Sequence, residues 1–593
     1  MGTLYNDKEW LRLLHTYPTL FGKFKSEATS PKFFLSSNGQ ESPEDELKAL
    51  INQVGDESIS EEDHPVCRFP ARIDWLRRHY PKIKIANITC TRLNEFKKRV
   101  SAKSASVVFS SYYLNNPSSS FGHTFVRIGK NEEILDNGKH NLELLDTGIN
   151  YGAATGEAGP LLYFFGGLNG YFSGTFTAVP YYYKVREYND FETRDLWTYH
   201  LNLSKTEIEQ LINHVWELGH NTFDYYFLSK NCSYHVLTIL EAIRPDLNLL
   251  DKIPKLYTIP SETLKVLVSA GLVKKITFRP SARTSFQKSA SSLSASERKI
   301  VKQLARGEDI DLENFATSNK AKILDSAIGL VDYKYAKEVL KKEEAAQGFK
   351  RPLLLRRASI PVNSEDEEYS SLERNPPHTG HASNRLLIST GHTSENIVSK
   401  NFLEIDWRFA AQDLLDNDDT YPSFNKLEIG RLAFRYNLKN KILFKEFTLL
   451  DSYSLGTWNE FIFSPAWNVR AGGWLSEKGL NKYQTAGFQG GYGAGKETLG
   501  YTLFLVPHLE GSYVYQKLNR FKFAYGFDLG LASRLMQDLK FVSILEWRDK
   551  KWDEKKWKNE IRWANRVYGV GLAWTSSIEQ KTDEFSLKVL QYF

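Results

Sequence analysis

The chain has 593 residues, more than one hydrophobic core serves, so two or three domains are expected. Its 77 basic and 71 acidic residues leave a formal charge of +6, which excludes a nucleic-acid binder built on a dominant basic face. Aromatic residues reach 13%, a composition foreign to disordered chains.

Met1-Gly2-Thr3-Leu4 opens without a basic segment and apolar run, so no signal peptide is expected as the chain stands. Asn6 occupies the position where N-myristoylation wants Ser or Thr, which speaks against that anchor. No apolar stretch reaches the roughly 18 residues of a membrane-spanning helix. Asp7 to Tyr17 reads as a helix on Trp10, Leu11, Leu13 and Leu14, and Ser26 to Asp63 reads mostly as polar loop.

The chain has three cysteines: Cys67, Cys90 and Cys232. The two nearest in sequence can close a short loop and leave the third free, so a Cys67–Cys90 disulfide and an oxidising compartment are expected. Val107 to Tyr113 reads as a strand, followed by a polar loop. Phe121, His123, Phe125 and Arg127 then alternate with Gly122, Thr124, Val126 and Ile128, as in a strand that holds the His123 imidazole rigidly. Leu142 to Ile149 is expected to pair with that strand through an Asn137-Gly138 turn. The pairing brings Asn150 near His123, where a polar side chain can orient the ring; Asp146 and His140 are alternatives. Gly152 to Tyr183 is rich in Gly, Phe and Tyr, and Leu161, Phe164, Phe165 and Leu168 suit an acyl-chain groove or a buried loop.

Ser204-Lys205-Thr206-Glu207 is a capping box, followed by apolar residues at helical spacing. A second helix opens at Cys232, with Val236, Leu237, Leu240 and Ile243 on its apolar stripe and Pro245 beyond its end. A thiol at a helix N-terminus meets free N–H groups and the positive end of the dipole, which favour the nucleophilic thiolate. Cys232 is therefore the candidate nucleophile and His123 its base. The Cys232 N–H is the expected oxyanion donor, with Ser120, Tyr112 and Asn231 as supporting candidates.

Three stretches in order, Asn115-Asn116-Pro117-Ser118-Ser119-Ser120-Phe121-Gly122-His123-Thr124-Phe125, Asn150-Tyr151-Gly152-Ala153 and Asn231-Cys232-Ser233, resemble the N-terminal periplasmic domain of the Lnb family. That domain is similar in turn to permuted papain-like proteins in which His precedes Cys, among them the lecithin:retinol acyltransferase group and the NlpC-type cell-wall peptidases. Arg194-Asp195-Leu196-Trp197 and Asp224-Tyr225-Tyr226 are further landmarks, and the likeness runs from about Pro65 to Pro245. It implies a phospholipid acyl donor, a Cys232 thioester, and the terminal α-amine of a lipoprotein as acceptor. No cofactor or metal is implied. Alternative readings are a cell-wall peptidase or amidase and an inactive papain-like binding module.

Beyond Ile253 three helices are expected, Ser261 to Ala270, Ser294 to Gln303 and Lys320 to Lys342, and then a proline-rich boundary. His378, His381 and His392 lack a carboxylate at ligand spacing, so they are read as turn or surface residues. After Phe402 the chain alternates, as in Phe521-Lys522-Phe523-Ala524-Tyr525-Gly526-Phe527 and Tyr568-Gly569-Val570-Gly571-Leu572, and it ends in Phe593. Segments of about ten residues with one bulky and one small or polar face suit an outer-membrane β-barrel, and a soluble antiparallel barrel gives the same pattern. The expected class is α+β. It comprises an N-terminal helical segment (1–100), a papain-like domain (101–250), a helical segment (251–350), a boundary (351–400) and an antiparallel barrel (401–593), at the periplasmic side of the outer membrane.

Overall fold

The computed structural model describes residues 4–18, 23–112, 120–131, 140–156, 160–336, 344–362, 375–395, 398–437, 441–478, 481–498, 500–515, 520–549, 554–579 and 581–593. These form two compact units, one of Met1–Ser111 with Gly122–Glu373 and one of Tyr112–Phe121 with Arg374–Phe593.

The first unit is built on a seven-stranded antiparallel sheet. Its strands in chain order are β1 (Ser104–Ser110), β2 (His123–Gly129), β3 (Thr147–Ala153), β4 (Phe172–Pro180), β5 (Leu196–Leu201), β6 (Thr222–Tyr225) and β7 (Val273–Arg279). They lie in the order β6-β4-β3-β2-β1-β5-β7. The two central strands are buried on both faces, as the run Val107-Val108-Phe109 requires. On one face Val108 and Phe125 pack against Tyr181, Val185 and Tyr188. On the other, Thr124 meets the helix that begins at Cys232.

That helix, Cys232–Ile243, is apolar nearly all round because it is buried nearly all round. Beside it runs Lys205–Leu218, opened by the expected capping box: Glu207 N–H donates to Ser204 Oγ at 3.3 Å and Ser204 N–H to Glu207 Oε2 at 2.7 Å. The N-terminal helices Lys8–Leu13, Pro43–Gln53 and Pro70–His79 share one core, in which Trp10, Leu50, Trp75 and Leu76 reach Ala242 of the Cys232 helix. Pro43–Gln53 falls in a stretch expected to be loop; Ser42 caps it, accepting from Asp45 N, and Leu47 and Leu50 supply its buried face. Cys67 and Cys90 form the expected disulfide, packed with Leu93 and Trp216.

Leu142 to Leu145 belongs to a 3₁₀ turn, and the strand pairing with β2 starts at Thr147; the Asn137-Gly138 turn lies outside the described residues. Past β7, helices Ala282–Ser291, Ala295–Leu304 and Glu344–Ala358 pack around Thr317–Lys334. Among the described residues no helix is long and apolar enough to cross a membrane.

In the second unit twelve strands run as a meander and close on themselves. They are β8 (Arg385–Glu395), β9 (Val398–Gln412), β10 (Asn425–Asn437), β11 (Lys441–Ser454), β12 (Ala466–Lys478), β13 (Asn481–Thr498), β14 (Tyr501–Val514), β15 (Arg520–Met536), β16 (Leu539–Arg548), β17 (Glu554–Ala564), β18 (Tyr568–Ser577) and β19 (Thr582–Tyr592). Each pairs antiparallel with the next, and β8 with β19 from Arg385↔Tyr592 to Glu395↔Thr582. The first barrel strand thus begins inside the stretch expected to be boundary.

The alternation decides between the two barrel types. Phe521 and Phe523 point outward, 74% and 72% exposed, while Lys522 and Asp528 of the same strand are buried. Outside, Leu503, Leu505, Leu509, Leu572 and Val589 continue the apolar surface. Inside, Arg431 pairs with Asp406 at 2.5 Å, Arg435 with Glu584 at 2.6 Å and Arg470 with Glu446 at 2.7 Å, around a cavity of about 500 Å³. An apolar outside and a charged inside are the reverse of a water-soluble barrel and suit a lipid-embedded one. His381 stacks between Tyr421 and Tyr592, and His392 Nδ1 bonds Asn401 Oδ1 at 2.8 Å.

Candidate active site

Cys232 is the first residue of its helix, so its N–H has no partner within the helix. Asn231 is the N-cap: its Oδ1 accepts from the N–H of Ser233 at 3.1 Å and of Tyr234 at 3.3 Å. Its Nδ2 donates to the carbonyls of Thr258, at 2.8 Å, and Phe227, at 3.2 Å. Asn231 therefore supports the site by fixing the helix start, and its amide hydrogens are engaged elsewhere than at an oxyanion.

His123 opens β2 and is delivered there by Gly122. Gly122 has φ +82°, and a Cβ there would run into the Phe109 ring and lie 3.0 Å from the Ser110 carbonyl oxygen. The imidazole makes a side-chain hydrogen bond with Cys232, and its Nε2 bonds Asn150 Oδ1 at 2.7 Å. With Nε2 so engaged, Nδ1 is the ring nitrogen left for the thiol. Asn150 arrives by register: Ile149 pairs with Val126, and Asn150 is the next residue of β3. A carbonyl oxygen on Nε2 holds a hydrogen there and leaves Nδ1 as the base.

The thiol is buried, 7% exposed. Burial alone disfavours the thiolate. The charge of His123, its hydrogen bond, the Thr124 N–H and Ser233 outweigh burial and bring the Cys232 pKa down to about 7. For His123, burial favours the neutral ring, yet Cys232 and the bond to Asn150 raise its pKa. Each group thus stabilises the charged form of the other. Ser233 Oγ lies 3.9 Å from the sulfur and 2.8 Å from Thr124 Oγ1, which ties the helix start to β2.

Tyr188, which carries no sequence motif, packs its ring 5.2 Å from that of His123. It lies in a π-helical turn, Val185–Phe191, and Arg194 N–H donates to its carbonyl at 2.9 Å. The neighbouring Asp195 Oδ1 accepts from Ser281 N–H at 2.8 Å. The Arg194-Asp195 landmark therefore braces the segment that holds the imidazole from behind. In the other landmark, Tyr225 of β6 stacks on Tyr151, centroids 5.9 Å apart.

Tyr112 and Ser120 group with the second unit, where the Tyr112 ring lies 5.0 Å from Tyr421. Asp146 accepts from Lys130 N–H at 3.0 Å and pairs with Arg127 at 3.6 Å, away from the triad. Leu161, Phe164, Phe165 and Leu168 lie on a helix, Pro160–Asn169, rather than a loop; Leu168 is half-buried. The side chains of Leu161, Phe164, Phe165 and His140 lie outside the described residues.

A thiol on a helix start, preceded in the chain by a His-bearing strand and an amide partner, is the arrangement expected of a permuted papain-like domain, here in one chain with a membrane barrel. Residues 92–270 match the family model of the Lnb N-terminal periplasmic domain. Three further models match beside it, each described as a domain of unknown function: DUF7843 at residues 2–79, DUF7842 at 276–369 and DUF7840 at 374–587. Comparison with curated proteins finds no match. Among solved structures, the Acinetobacter baumannii outer membrane protein Omp33 is 9% identical, with 36% of this chain and 98% of that one covered and a TM-score of 0.21. The KdgM porin is 10% identical, covering 35% and 99%, TM-score 0.21. Outer membrane phospholipase A from Escherichia coli is 9% identical, covering 37% and 93%, TM-score 0.20. The chain thus joins a region that matches a periplasmic-domain model to a closed barrel with an apolar outside and a charged inside.

Proposed function

We propose that the protein is a thiol-dependent acyltransferase that moves an acyl chain from a phospholipid, through a thioester on Cys232, to the terminal amine of a lipoprotein. The observation that carries this reading is the bonded series Cys232–His123–Asn150 at the start of a buried helix. His123 takes the thiol proton as the sulfur attacks the ester carbonyl carbon. The oxyanion forms beside the Cys232 N–H, and the lysophospholipid alcohol leaves with the proton from His123. The acceptor amine then gives a proton to His123 and attacks the thioester carbonyl; the amide forms and the thiol is restored. The choice of lipid and lipoprotein follows the likeness to the Lnb domain, and the membrane barrel on the same chain supports a lipid donor.

The test is intact-mass analysis of wild type and Cys232→Ala after incubation with phospholipid vesicles. The expected result is an acyl-sized increment on wild type only, discharged by a diacylated lipopeptide with a free amine. Folded wild-type protein without an increment, and with Cys232 inert to iodoacetamide, would leave the binding-module reading. A reactive thiol without an increment, together with cleavage of a cell-wall peptide, would favour the amidase.

A further inference from the structure

The Cys232 helix carries a second cluster one turn on from the thiol, made from residues distant in sequence. Thr16–Pro18 and Phe24–Ser26 form a small hairpin with Thr16 opposite Ser26. His15 and Glu27 flank its open end, and Glu27 N–H donates to the His15 carbonyl at 2.9 Å. His235, one turn into the Cys232 helix, comes to the same place. One ligand atom from each of the three lies within 4.8 Å of the others.

Each side chain also presents a buried polar atom that no hydrogen bond satisfies: His15 Nδ1, Glu27 Oε2 and His235 Nε2. Their other polar atoms are engaged in a way that leaves these as lone-pair donors. The Thr238 hydroxyl donates to the His235 carbonyl at 2.9 Å, so it accepts from His235 Nδ1 at 3.4 Å, and Nε2 is bare. Glu27 Oε1 takes Tyr234 OH at 2.8 Å and Lys230 Nζ at 3.1 Å, which leaves Oε2. His15 Nε2 is 3.1 Å from His214 Nε2, and a proton donated by His15 across that contact leaves Nδ1 bare. Tyr151, Phe176 and Phe223 wall the cluster, the Tyr151 ring 4.0 Å from that of His235. Three unsatisfied acceptors together in an aromatic enclosure are costly unless something fills the space between them.

We propose that His15, Glu27 and His235 form a buried site for a divalent first-row transition ion, zinc on the chemistry of its donors, which fastens the N-terminal hairpin to the helix that presents Cys232. Two imidazoles and one carboxylate are a common nitrogen–oxygen ligand set for such ions. Bonds of about 2.1 Å set tetrahedral ligand atoms about 3.4 Å apart, so three atoms that now lie within 4.8 Å of one another draw together on binding. His214 then stands behind His15 as the outer partner that fixes its tautomer. Arg12, Arg72 and Lys230 face the cluster, and each is paired with a carboxylate, Glu241, Glu46 and Glu27 respectively.

The experiment is metal analysis of the purified full chain after chelation and reloading with zinc alone. Wild type and Cys232→Ala should each retain one equivalent, while His235→Ala and His15→Ala lose it and Glu27→Gln binds at least tenfold more weakly. Zinc should also raise the melting temperature of wild type and leave that of the folded histidine variants unmoved. Cobalt loading of wild type supplies a reading that does not depend on the folding of those variants: a nitrogen–oxygen visible spectrum without a thiolate charge-transfer band is expected. No retained metal would mean that water fills the space, and a thiolate band or loss of metal in Cys232→Ala would assign the ion to the nucleophile; either result overturns the site.

Discussion

The two units bury opposite kinds of side chain. In the sheet unit Val107, Phe109, Val126 and Leu237 are fully buried, whereas in the barrel the buried positions include Arg385, Arg408, Lys522 and Asp528 and the exposed ones Phe521, Phe523 and Tyr525. One principle gives both results, because apolar side chains leave water for whatever apolar medium is nearby, a core in the first case and lipid in the second. The contrast changes what a buried charge means. In the barrel an ionic group is an ordinary wall of a polar lumen. In the sheet unit every buried polar group needs a local reason, and around Cys232 the partners His123, Asn150 and Ser233 supply it.

The largest effect that would sharpen this contrast is on the thiol. In His123→Ala, alkylation of Cys232 by iodoacetamide at pH 7 should fall about 10²-fold or more, since the base and its charge are removed together. The pH profile fixes the sign. A thiol pKa lowered to about 7 makes the rate rise through that pH, and without His123 only burial remains as the main influence, so the inflection moves upward. An unchanged profile would uncouple the two residues.

Next comes the lumen. Arg385 is 2% exposed and is paired with Asp413, with Asp406 at 3.4 Å and with Asp416 and Glu428 at 3.5 Å, so Arg385→Leu removes one cation from a network that Arg408, Arg431, Arg562 and Lys426 also hold. A loss of about 1–3 kcal/mol is expected in urea unfolding of the barrel from vesicles, because the partner carboxylates keep other cations. On the outside of β15, Phe523→Lys should cost about 2–4 kcal/mol in the same measurement if that face meets lipid. No loss there would put the face in water and remove the contrast altogether.

In the sheet unit, replacing both Cys67 and Cys90 with Ser opens a loop with a sequence separation of 23 and should cost about 3 kcal/mol, read as a lowered melting temperature. Ser204→Ala removes one half of the capping box and should cost about 1 kcal/mol.

Much of the site can be read in the chain because it is held by local rules. Asn231-Cys232-Ser233 before an apolar helical stripe places a thiol at a helix start, and the Gly122-His123 step with alternating neighbours places an imidazole on a strand. Asn150 follows from hairpin register, which the sheet keeps even though Leu142 to Leu145 is a turn instead of a strand. Tyr188 does not follow, since a π-helical turn has no periodic signature and its ring reaches His123 only through the brace at Arg194.

Period-two alternation after Phe402 announces a barrel whichever solvent surrounds it. Which face points outward is a property of strand pairing and closure, and only the closed meander, with lysine and arginine inward, decides for lipid. The same holds for His15, Glu27 and His235. Nothing local relates them, because the hairpin that joins the first two and the helix that carries the third meet only when the sheet unit packs. Helix starts, strand periods and capping boxes are short-range and survive in the sequence; burial, lumen and convergence of distant ligands are long-range and exist only in the folded chain.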